Sequence, residues 1–378
     1  MKKILNSLLL LTLLIPPAFS AAFPGLETLT LKDLPETRAP AANPPYLLRP
    51  DGRVPGYDWS GLPAYIFTEE ERVSPTLVTA IDRTRQTLDM ALYNLQFEDT
   101  IQAMLRARAR GVKVRMIFNY SHVYPKAGRQ IQQVIDSGIE TRVMKGRGGS
   151  GSMHCKYAIF DATLLETGSA NWSNLAETGS YENMIFTVDP HIVRGYENNF
   201  EWMWAQAKPA GKPDAPSVAP TVPPSDPKPS VQFNGTTLAN YIFSPRGGTT
   251  DVIAAAIDAA RKEVDVAMFS FTSRPLMDAL NRAVARGVKV KLLLYPKSSF
   301  PFKDEAKKNR ITVHYKAGRT EYGIMHNKFA VLDSALLING SFNWSATAEN
   351  ANTENTIFTM VPEYVKPFKA EFEKLYAD

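Results

Sequence analysis

Hydrophobic and polar positions alternate along this chain with two periods, one typical of helices and one typical of strands. From residue 65 to residue 207 the pattern predicts strands at 88–94, 112–119, 139–144, 154–160, 164–167 and 184–188. It predicts helices at 75–86, 99–110 and 191–207, with a further helix ending at Gly138. Strands that alternate with helices in this way indicate an α/β/α sandwich built on a mixed sheet.

The same pattern occurs a second time. The tripeptide YIF at 65–67 returns at 241–243, and RGVKV at 110–114 returns at 286–290, in both cases 176 positions later. Self-similarity over so long a segment means two domain-sized copies of one unit. We therefore expect two tandem α/β units, residues 65–207 and 231–378, related by pseudo-twofold symmetry around one shared site.

The segments outside the two copies differ from them in composition. Residues 208–230 contain eight prolines and predict a semi-rigid linker, and residues 21–64 predict a Pro-rich leader. Residues 1–20 have the layout of a signal peptide, with Lys2 and Lys3 before an apolar run that is too short to span a membrane comfortably. An uncleaved anchor helix is the alternative. We expect an exported protein, periplasmic or secreted, without a membrane-spanning segment after cleavage.

Composition narrows this interpretation only slightly. Hydrophobic residues make up 44% of the 378 residues, which is enough to fill real cores. Without Lys2 and Lys3, the 43 Lys and Arg residues become 41, against 38 Asp and Glu, and this small excess decides no partner. Cys155 is the single cysteine, so it has no intrachain partner, and we interpret it as a small buried hydrophobic residue.

The candidate chemistry lies in a motif found in both copies, H-x-K-x4-D followed by G-S-x-N-W-S, at a constant offset of 172 residues. The first copy comprises His154, Lys156, Asp161, Gly168, Ser169, Asn171, Trp172 and Ser173; the second comprises His326, Lys328, Asp333, Gly340, Ser341, Asn343, Trp344 and Ser345. Side chains two apart share one face of a strand, so each His projects with its Lys. Asp161 and Asp333 belong to the predicted catalytic set, but their opposite parity favours an orienting or structural role.

Two glutamates extend the motif. Glu182 and Glu354 each follow the His of their own copy by 28 residues. A carboxylate bound to one imidazole nitrogen fixes the tautomer and raises the basicity of the other nitrogen, so we predict an orienting role for both. The sequence contains no HExxH, paired Cys-x-x-Cys or carboxylate-rich loop, and therefore predicts neither a metal site nor a cofactor.

At these residues the chain resembles the phospholipase D superfamily, whose signature is H-x-K-x4-D with a downstream G-S-x-N. The segments FSFTSRPLMDAL, RGVKVKLLLY and ETGSANWS are similar to its compact single-motif members, the small secreted bacterial endonucleases and the mitochondrial cardiolipin hydrolase type. The resemblance covers both halves, which implies a monomer with one site built from two fused units.

The resemblance also implies a metal-independent, two-step mechanism. His154 would attack phosphorus and form a phosphohistidine, and His326 would protonate the leaving oxygen and then activate water or an alcohol. The phosphate would be clamped by polar residues from both copies, namely Lys156, Lys328, Asn171 and Asn343, with Ser169 and Ser341 behind them.

Two substrate classes stay open. Fused motifs, a modest charge and an aromatic loop at 298–302, expected to be exposed, favour phospholipase D-type hydrolysis of phospholipid at a membrane surface, with transfer to an alcohol as a second outcome. The alternative is a non-specific endonuclease acting on DNA or RNA. It is favoured by the compactness of each copy, by a basic cluster (Arg106, Arg108, Arg110, Lys113, Arg115) and by the loop 145–147. A non-enzymatic phosphate-binding or adhesion module predicts damage to one motif, and both are intact.

Overall fold

The computed structural model describes residues 57–211, 221–226 and 230–377. The predicted signal peptide lies outside these residues, as do most of the predicted leader and most of the predicted linker. None of the described helices is both long enough and apolar enough to cross a bilayer.

The first half follows the predicted alternation of elements. Its strands are β1 (Tyr65–Phe67), β2 (Thr87–Leu92), β3 (Lys113–Asn119), β4 (Glu140–Met144), β5 (Lys156–Phe160), β6 (Leu164–Gly168), β7 (Asn183–Thr187) and the short β8 (Lys208–Pro209). Its helices are α1 (Val73–Arg83), α2 (Glu98–Ala109), α3 (Tyr120–Val123), α4 (Arg129–Asp136), α5 (Asn174–Thr178) and α6 (Pro190–Gln206). The strand predicted at 154–160 starts later, at Lys156, because residues 153 and 154 bind the backbone of the other half.

The second half repeats this order. Its strands are β9 (Ser230–Phe233), β10 (Thr236–Ala239), β11 (Tyr241–Ser244), β12 (Glu263–Met268), β13 (Lys289–Leu294), β14 (Thr312–Tyr315), β15 (Lys328–Leu332), β16 (Leu336–Gly340) and β17 (Glu354–Thr359). Its helices are α7 (Thr249–Ala259), α8 (Arg274–Ala285), α9 (Lys303–Lys308), α10 (Ala346–Asn350) and α11 (Pro362–Ala377).

Each half is built on one mixed sheet. The strand order is β1-β7-β6-β5-β2-β3-β4-β8 in the first half and β11-β17-β16-β15-β12-β13-β14 in the second. Strands β2, β3 and β4 run parallel, as do β12, β13 and β14, and the other neighbours are antiparallel. The predicted fold class, two α/β units with mixed sheets, is therefore confirmed.

The two sheets share an apolar core. One buried cluster contains side chains from both halves and from the two long helices α6 and α11. Phe368 on α11 shows this most directly, since its ring lies 4.9 Å from that of Phe67 on β1 and 5.1 Å from that of Phe329 on β15. Burying so much apolar surface between the halves is strongly favourable and fixes their relative position. Strands β5 and β15, each preceded by a motif histidine, thereby belong to one packed unit.

Candidate active site

Both motif histidines lie where the two halves meet. The His154 amide donates to the carbonyl of Thr353 (3.0 Å), and the His326 amide donates to the carbonyl of Tyr181 (3.0 Å). Bridges between Met153 and Thr353 and between Tyr181 and Met325 repeat this exchange. Each histidine is thus held by the backbone of the half to which it does not belong.

The imidazoles are also held across the boundary. His154 Nδ1 lies 2.8 Å from Glu354 Oε2, and His326 Nδ1 lies 2.7 Å from Glu182 Oε1. Both carboxylates are buried. A proton on Nδ1, shared with the carboxylate, leaves Nε2 as the reactive nitrogen. The glutamates therefore occupy orienting positions, but each serves the opposite half. The sequence gives no sign of this crossed pairing, because each glutamate follows the histidine of its own copy by the same 28 residues.

The two lysines lie beside the histidines on the shared face. Lys156 Nζ donates to the carbonyl of His154 (2.6 Å), and Lys328 Nζ donates to that of His326 (2.5 Å). Burial lowers the pKa of Lys156 to about 8 and that of Lys328 to about 7, against the attraction of the two glutamates. Two buried ammonium groups with few hydrogen bonds are well suited to bind an anion.

The charges of the two motifs act on one another across the boundary between the halves. Burial lowers the pKa of His154, with a further lowering by the charges of Lys156 and Lys328, while Glu354 opposes it. Burial likewise lowers the pKa of His326 to about 4, and both lysines add to this effect. The pKa of each imidazole is therefore lowered by the lysine of the other half as well as by its own.

The G-S-x-N segments lie behind the histidines. A Cβ on Gly168 would lie 2.2 Å from the carbonyl oxygen of Asn183, so glycine is required here by the close approach of β7. Ser341 Oγ donates to Glu354 (2.6 Å) and accepts from a backbone amide, which supports the glutamate rather than the substrate. The Asn171 and Asn343 side chains make no hydrogen bond within the described residues. Their amides are therefore available to a phosphate, whereas Ser169, which accepts from the Asn183 amide, is structural.

The two motif aspartates lie at the far end of their strands. Asp161 accepts hydrogen bonds from the backbone amides of Arg85, Gln86 and Thr87 at 2.7–2.9 Å, just where β2 begins. Asp333 accepts the equivalent bonds from residues 261–263 at 2.7–3.0 Å. Neither carboxylate contacts an imidazole. They organise the start of β2 and β12, in line with their opposite parity.

Comparison with known proteins agrees with this geometry. A family model described as "Cardiolipin synthase, PLD-like domain" matches residues 77–204 and again residues 253–376. The chain belongs to the phospholipase D superfamily. The two matches fall on the two halves, so the repeat in the sequence is a repeat of the family's own domain.

Known proteins of several kinds are similar to this chain. Mitochondrial cardiolipin hydrolase from Xenopus tropicalis is 31% identical over 134 residues, covering 35% of this chain and 62% of that protein. A phospholipase D of Rickettsia bellii is 32% identical over 143 residues, covering 37% and 70%. The chain thus spans about three fifths of the length of the cardiolipin hydrolase. Phosphatidylserine synthase from Haemophilus influenzae shares the fold, with a TM-score of 0.60 at 11% identity over 83% of this chain and 86% of that one.

Further residues of this phospholipase D-like site escaped prediction. Tyr93 packs edge-on against His154 at 4.9 Å between ring centroids, and its counterpart Phe269 packs against His326 at 4.8 Å. His122 lies behind Tyr93 at 4.6 Å. Tyr93 lies near the end of the strand predicted at 88–94, and Phe269 occupies the equivalent position 176 residues later. This position is the one signal by which they could have been found. They exclude water from one side of each imidazole and limit its rotation.

Two of the features used to distinguish the substrate classes, the basic cluster and the aromatic loop, have structural roles. Arg106 and Arg110 pair with Asp82, and Arg115 is buried with Asp89 at 2.7 Å, so most of the predicted basic cluster is already neutralised within the fold. The expectation that the aromatic loop at 298–302 is exposed is wrong. The side chain of Phe300 is 6% exposed, and its ring centroid lies 5.5 Å from that of Phe271. Neither segment distinguishes lipid from nucleic acid.

The residues of the site do not form a metal centre of the usual kind. Within the described part of the chain, one group of carboxylates is close enough together to hold a metal ion. It consists of Glu69, Glu70 and Glu371. None of the three belongs to the motif, and Lys374 Nζ binds all three at 2.8–3.4 Å. The donor set around His154 and His326 is instead cationic, which suits a phosphate.

Proposed function

We propose that this protein is a phospholipase D-type phosphodiesterase that hydrolyses phospholipids without a metal. The observation that carries the proposal is the crossed pair of hydrogen bonds, His154 to Glu354 and His326 to Glu182. They present two reactive nitrogens to one centre, which a double displacement at phosphorus requires. Relatives named cardiolipin hydrolase and phospholipase D support the lipid class.

In the first step, the Nε2 lone pair of one histidine forms a bond to phosphorus while the bond to the leaving oxygen breaks. The second histidine gives its proton to that oxygen. In the second step, water attacks phosphorus and returns a proton to the second histidine as the phosphorus–nitrogen bond breaks. An alcohol in place of water gives transfer instead of hydrolysis. Lys156, Lys328 and the two motif asparagines stabilise the charge on the phosphoryl oxygens.

We assign His154 as the nucleophile and His326 as the acid. Glu354, which holds His154, also accepts from Ser341 (2.6 Å) and Asn352 (2.9 Å), whereas the second oxygen of Glu182 has no partner within the described residues. Glu182 therefore keeps more charge to stabilise a protonated His326. Burial, together with the charges of Lys328 and Lys156, lowers the pKa of His326 to about 4. This proton must therefore be acquired together with an anionic substrate, whose charge favours the imidazolium.

A two-arm assay tests the proposal. The purified mature protein is incubated with phospholipid vesicles and, separately, with plasmid and single-stranded DNA and RNA, all in EDTA. Headgroup release without nicking is the expected result. Nicking without headgroup release would establish the endonuclease alternative, and loss of all activity in EDTA with recovery on adding a divalent metal would contradict the metal-free mechanism.

Location follows from the same proposal. A signal-like segment at 1–20 supports export, and two motifs in one chain support a monomer. Cell fractionation and size-exclusion chromatography with light scattering test these two points. A cytoplasmic, full-length product, or a dimer that is needed for activity, would count against them.

A further inference from the structure

Two equivalent hairpins directly precede the two motif histidines in the chain, and their side chains make different contacts. One spans 145–152 and is closed by a bridge between Lys145 and Ser152; the other spans 317–324 and is closed between Ala317 and Ile324. Both carry Gly-Arg at the same place, with Arg147 in the first and Arg319 in the second. Both arginine amides bind the opposite half, at 2.6 Å to the Ala351 carbonyl and 2.7 Å to the Gly179 carbonyl respectively.

The guanidinium of Arg319 has a structural task. It donates to the carbonyls of Ser180 (2.9 Å) and Glu177 (2.5 Å) and so caps the C-terminal end of α5. In the other half, the carbonyl equivalent to that of Glu177 belongs to Glu349, and it is bound by the Arg246 amide instead (2.5 Å). The Arg147 guanidinium therefore does not cap the equivalent helix. Within the described residues it makes no hydrogen bond or ion pair.

Lys145 adds a second cation to the same hairpin, where the second half has Ala317. Its Nζ lies 4.9 Å from the centroid of the Tyr120 ring and pairs with no carboxylate of the described chain. Its backbone is bridged to Ser152, two residues before His154, which corresponds to roughly 7 Å along an extended chain. The hairpin therefore places two unpaired positive charges beside the first-half edge of the active centre.

The hairpin is also bonded to the catalytic groups. The Ser152 amide donates to Asn352 Oδ1 (3.0 Å), and Asn352 Nδ2 donates to Glu354 Oε1 (2.9 Å), the carboxylate that holds His154. These bonds fix the base of the hairpin relative to the reacting nitrogen. An anion bound by the hairpin is consequently held at a defined distance from the scissile phosphate.

We propose that Lys145 and Arg147 form an accessory anion subsite that binds a second phosphate of an anionic phospholipid while the first lies between the histidines. The inference rests on the proposed function and specifies the lipid class. A guanidinium binds phosphate through two parallel hydrogen bonds, and an adjacent ammonium adds a point charge. The lysines of the active centre bind the scissile phosphate, so the hairpin is available to a second one.

The other hairpin favours a lipid over a nucleic acid as the substrate. At the positions equivalent to Gly149 and Ser150 it has Glu321 and Tyr322, both exposed, with Tyr322 exposed to 76%. A nucleic-acid strand carries phosphates in both directions from the scissile bond and would meet the negative charge of Glu321. A lipid with two phosphates has its second charge on one side only, and an exposed tyrosine is suited to a lipid–water boundary.

The test uses two lipids that differ in the second phosphate. Vesicles of phosphatidylcholine contain equal phosphorus as either diphosphatidylglycerol or phosphatidylglycerol, and soluble bis(p-nitrophenyl) phosphate serves as a third substrate. We expect the double variant Lys145→Ala/Arg147→Ala to lower kcat/KM on diphosphatidylglycerol, relative to the soluble diester, by about tenfold or more. Arg147→Lys should recover part of that loss. Arg129→Ala, which removes an arginine exposed to 80%, is the matched control.

Three results would overturn the subsite. The decrease of kcat/KM in the double variant could be equal on all three substrates, or it could be absent. It could also occur on single-stranded DNA and not on lipid, which would assign the hairpin to a nucleic-acid backbone. Failure of the proposed function is separate, since wild-type protein would then hydrolyse the soluble diester but neither lipid.

Discussion

The hydrogen bond between Glu354 and His154 predicts how much catalytic rate is lost when the charge of Glu354 is removed. Glu354 is fully buried and its carboxylate is 2.8 Å from His154 Nδ1. Replacing Glu354 with Gln keeps the size and shape of the side chain and one acceptor oxygen, but removes the negative charge. The variant therefore isolates the electrostatic contribution of the carboxylate from its packing.

The magnitude follows from the geometry. With the charge centres of the carboxylate and the imidazolium about 4 Å apart and an effective dielectric constant of about 20, their attraction is about 4 kcal/mol. His154 gains positive charge when it bonds to phosphorus, so this attraction is larger in the transition state than in the ground state. Its loss corresponds to a decrease in kcat of about 10³-fold.

The assay is hydrolysis of bis(p-nitrophenyl) phosphate, which needs no membrane. Glu166→Gln is the control, because Glu166 is also fully buried, and burial raises the pKa of its carboxyl well above its usual range, which favours the neutral form. A neutral amide in that place changes little, so its kcat should stay within about threefold of wild type. A Glu354→Gln variant with near-wild-type kcat would refute the role of the carboxylate.

The direction of the crossing can be measured separately. The chain has five histidines, so labelled imidazole signals can be followed one by one during an NMR pH titration. Glu354→Gln should lower the pKa of His154, since the carboxylate that favours its charged form is gone, and Glu182→Gln should lower that of His326. If each substitution moved the histidine of its own copy, the crossed pairing would be wrong.

The remaining predictions concern the rest of the motif. His154→Ala and His326→Ala should each abolish turnover, and near-wild-type activity in either single variant would contradict one site with two essential imidazoles. Since the pKa values of Lys328 and Lys156 are lowered to about 7 and about 8, kcat/KM on the soluble diester should fall as the pH rises through this range and the ammonium groups lose their protons. A pH profile that is flat between pH 6 and pH 9 would exclude them as anion ligands. Asp161→Asn should lower the free energy of unfolding by about 2–3 kcal/mol in urea titrations, because backbone amides lose a charged acceptor, with kcat retained within about threefold.

The sequence predicts the repeat, the α/β class and the cationic motif because each depends on local patterns. Periodicity identifies strands within a few residues, and a side-chain period of two places His154 with Lys156 and separates them from Asp161. Features that depend on distant contacts were missed or misread. Arg106 looks available in the sequence, yet it pairs with Asp82, 24 residues away, and Phe300 looks exposed, yet it packs on Phe271.

The crossing itself predicts that both motifs are needed for activity. The first half contains His154 and Glu182, but these two residues do not bind each other. His154 binds Glu354 of the second half, and Glu182 binds His326 of the second half. An isolated half would lack both the carboxylate that orients its histidine and the backbone carbonyl that binds its amide. Its imidazole would be free to rotate and to change tautomer, so the reactive nitrogen would no longer be fixed. Fusion of the two copies keeps each glutamate at high effective concentration for the histidine of the other copy, so both His–Glu contacts form within one chain.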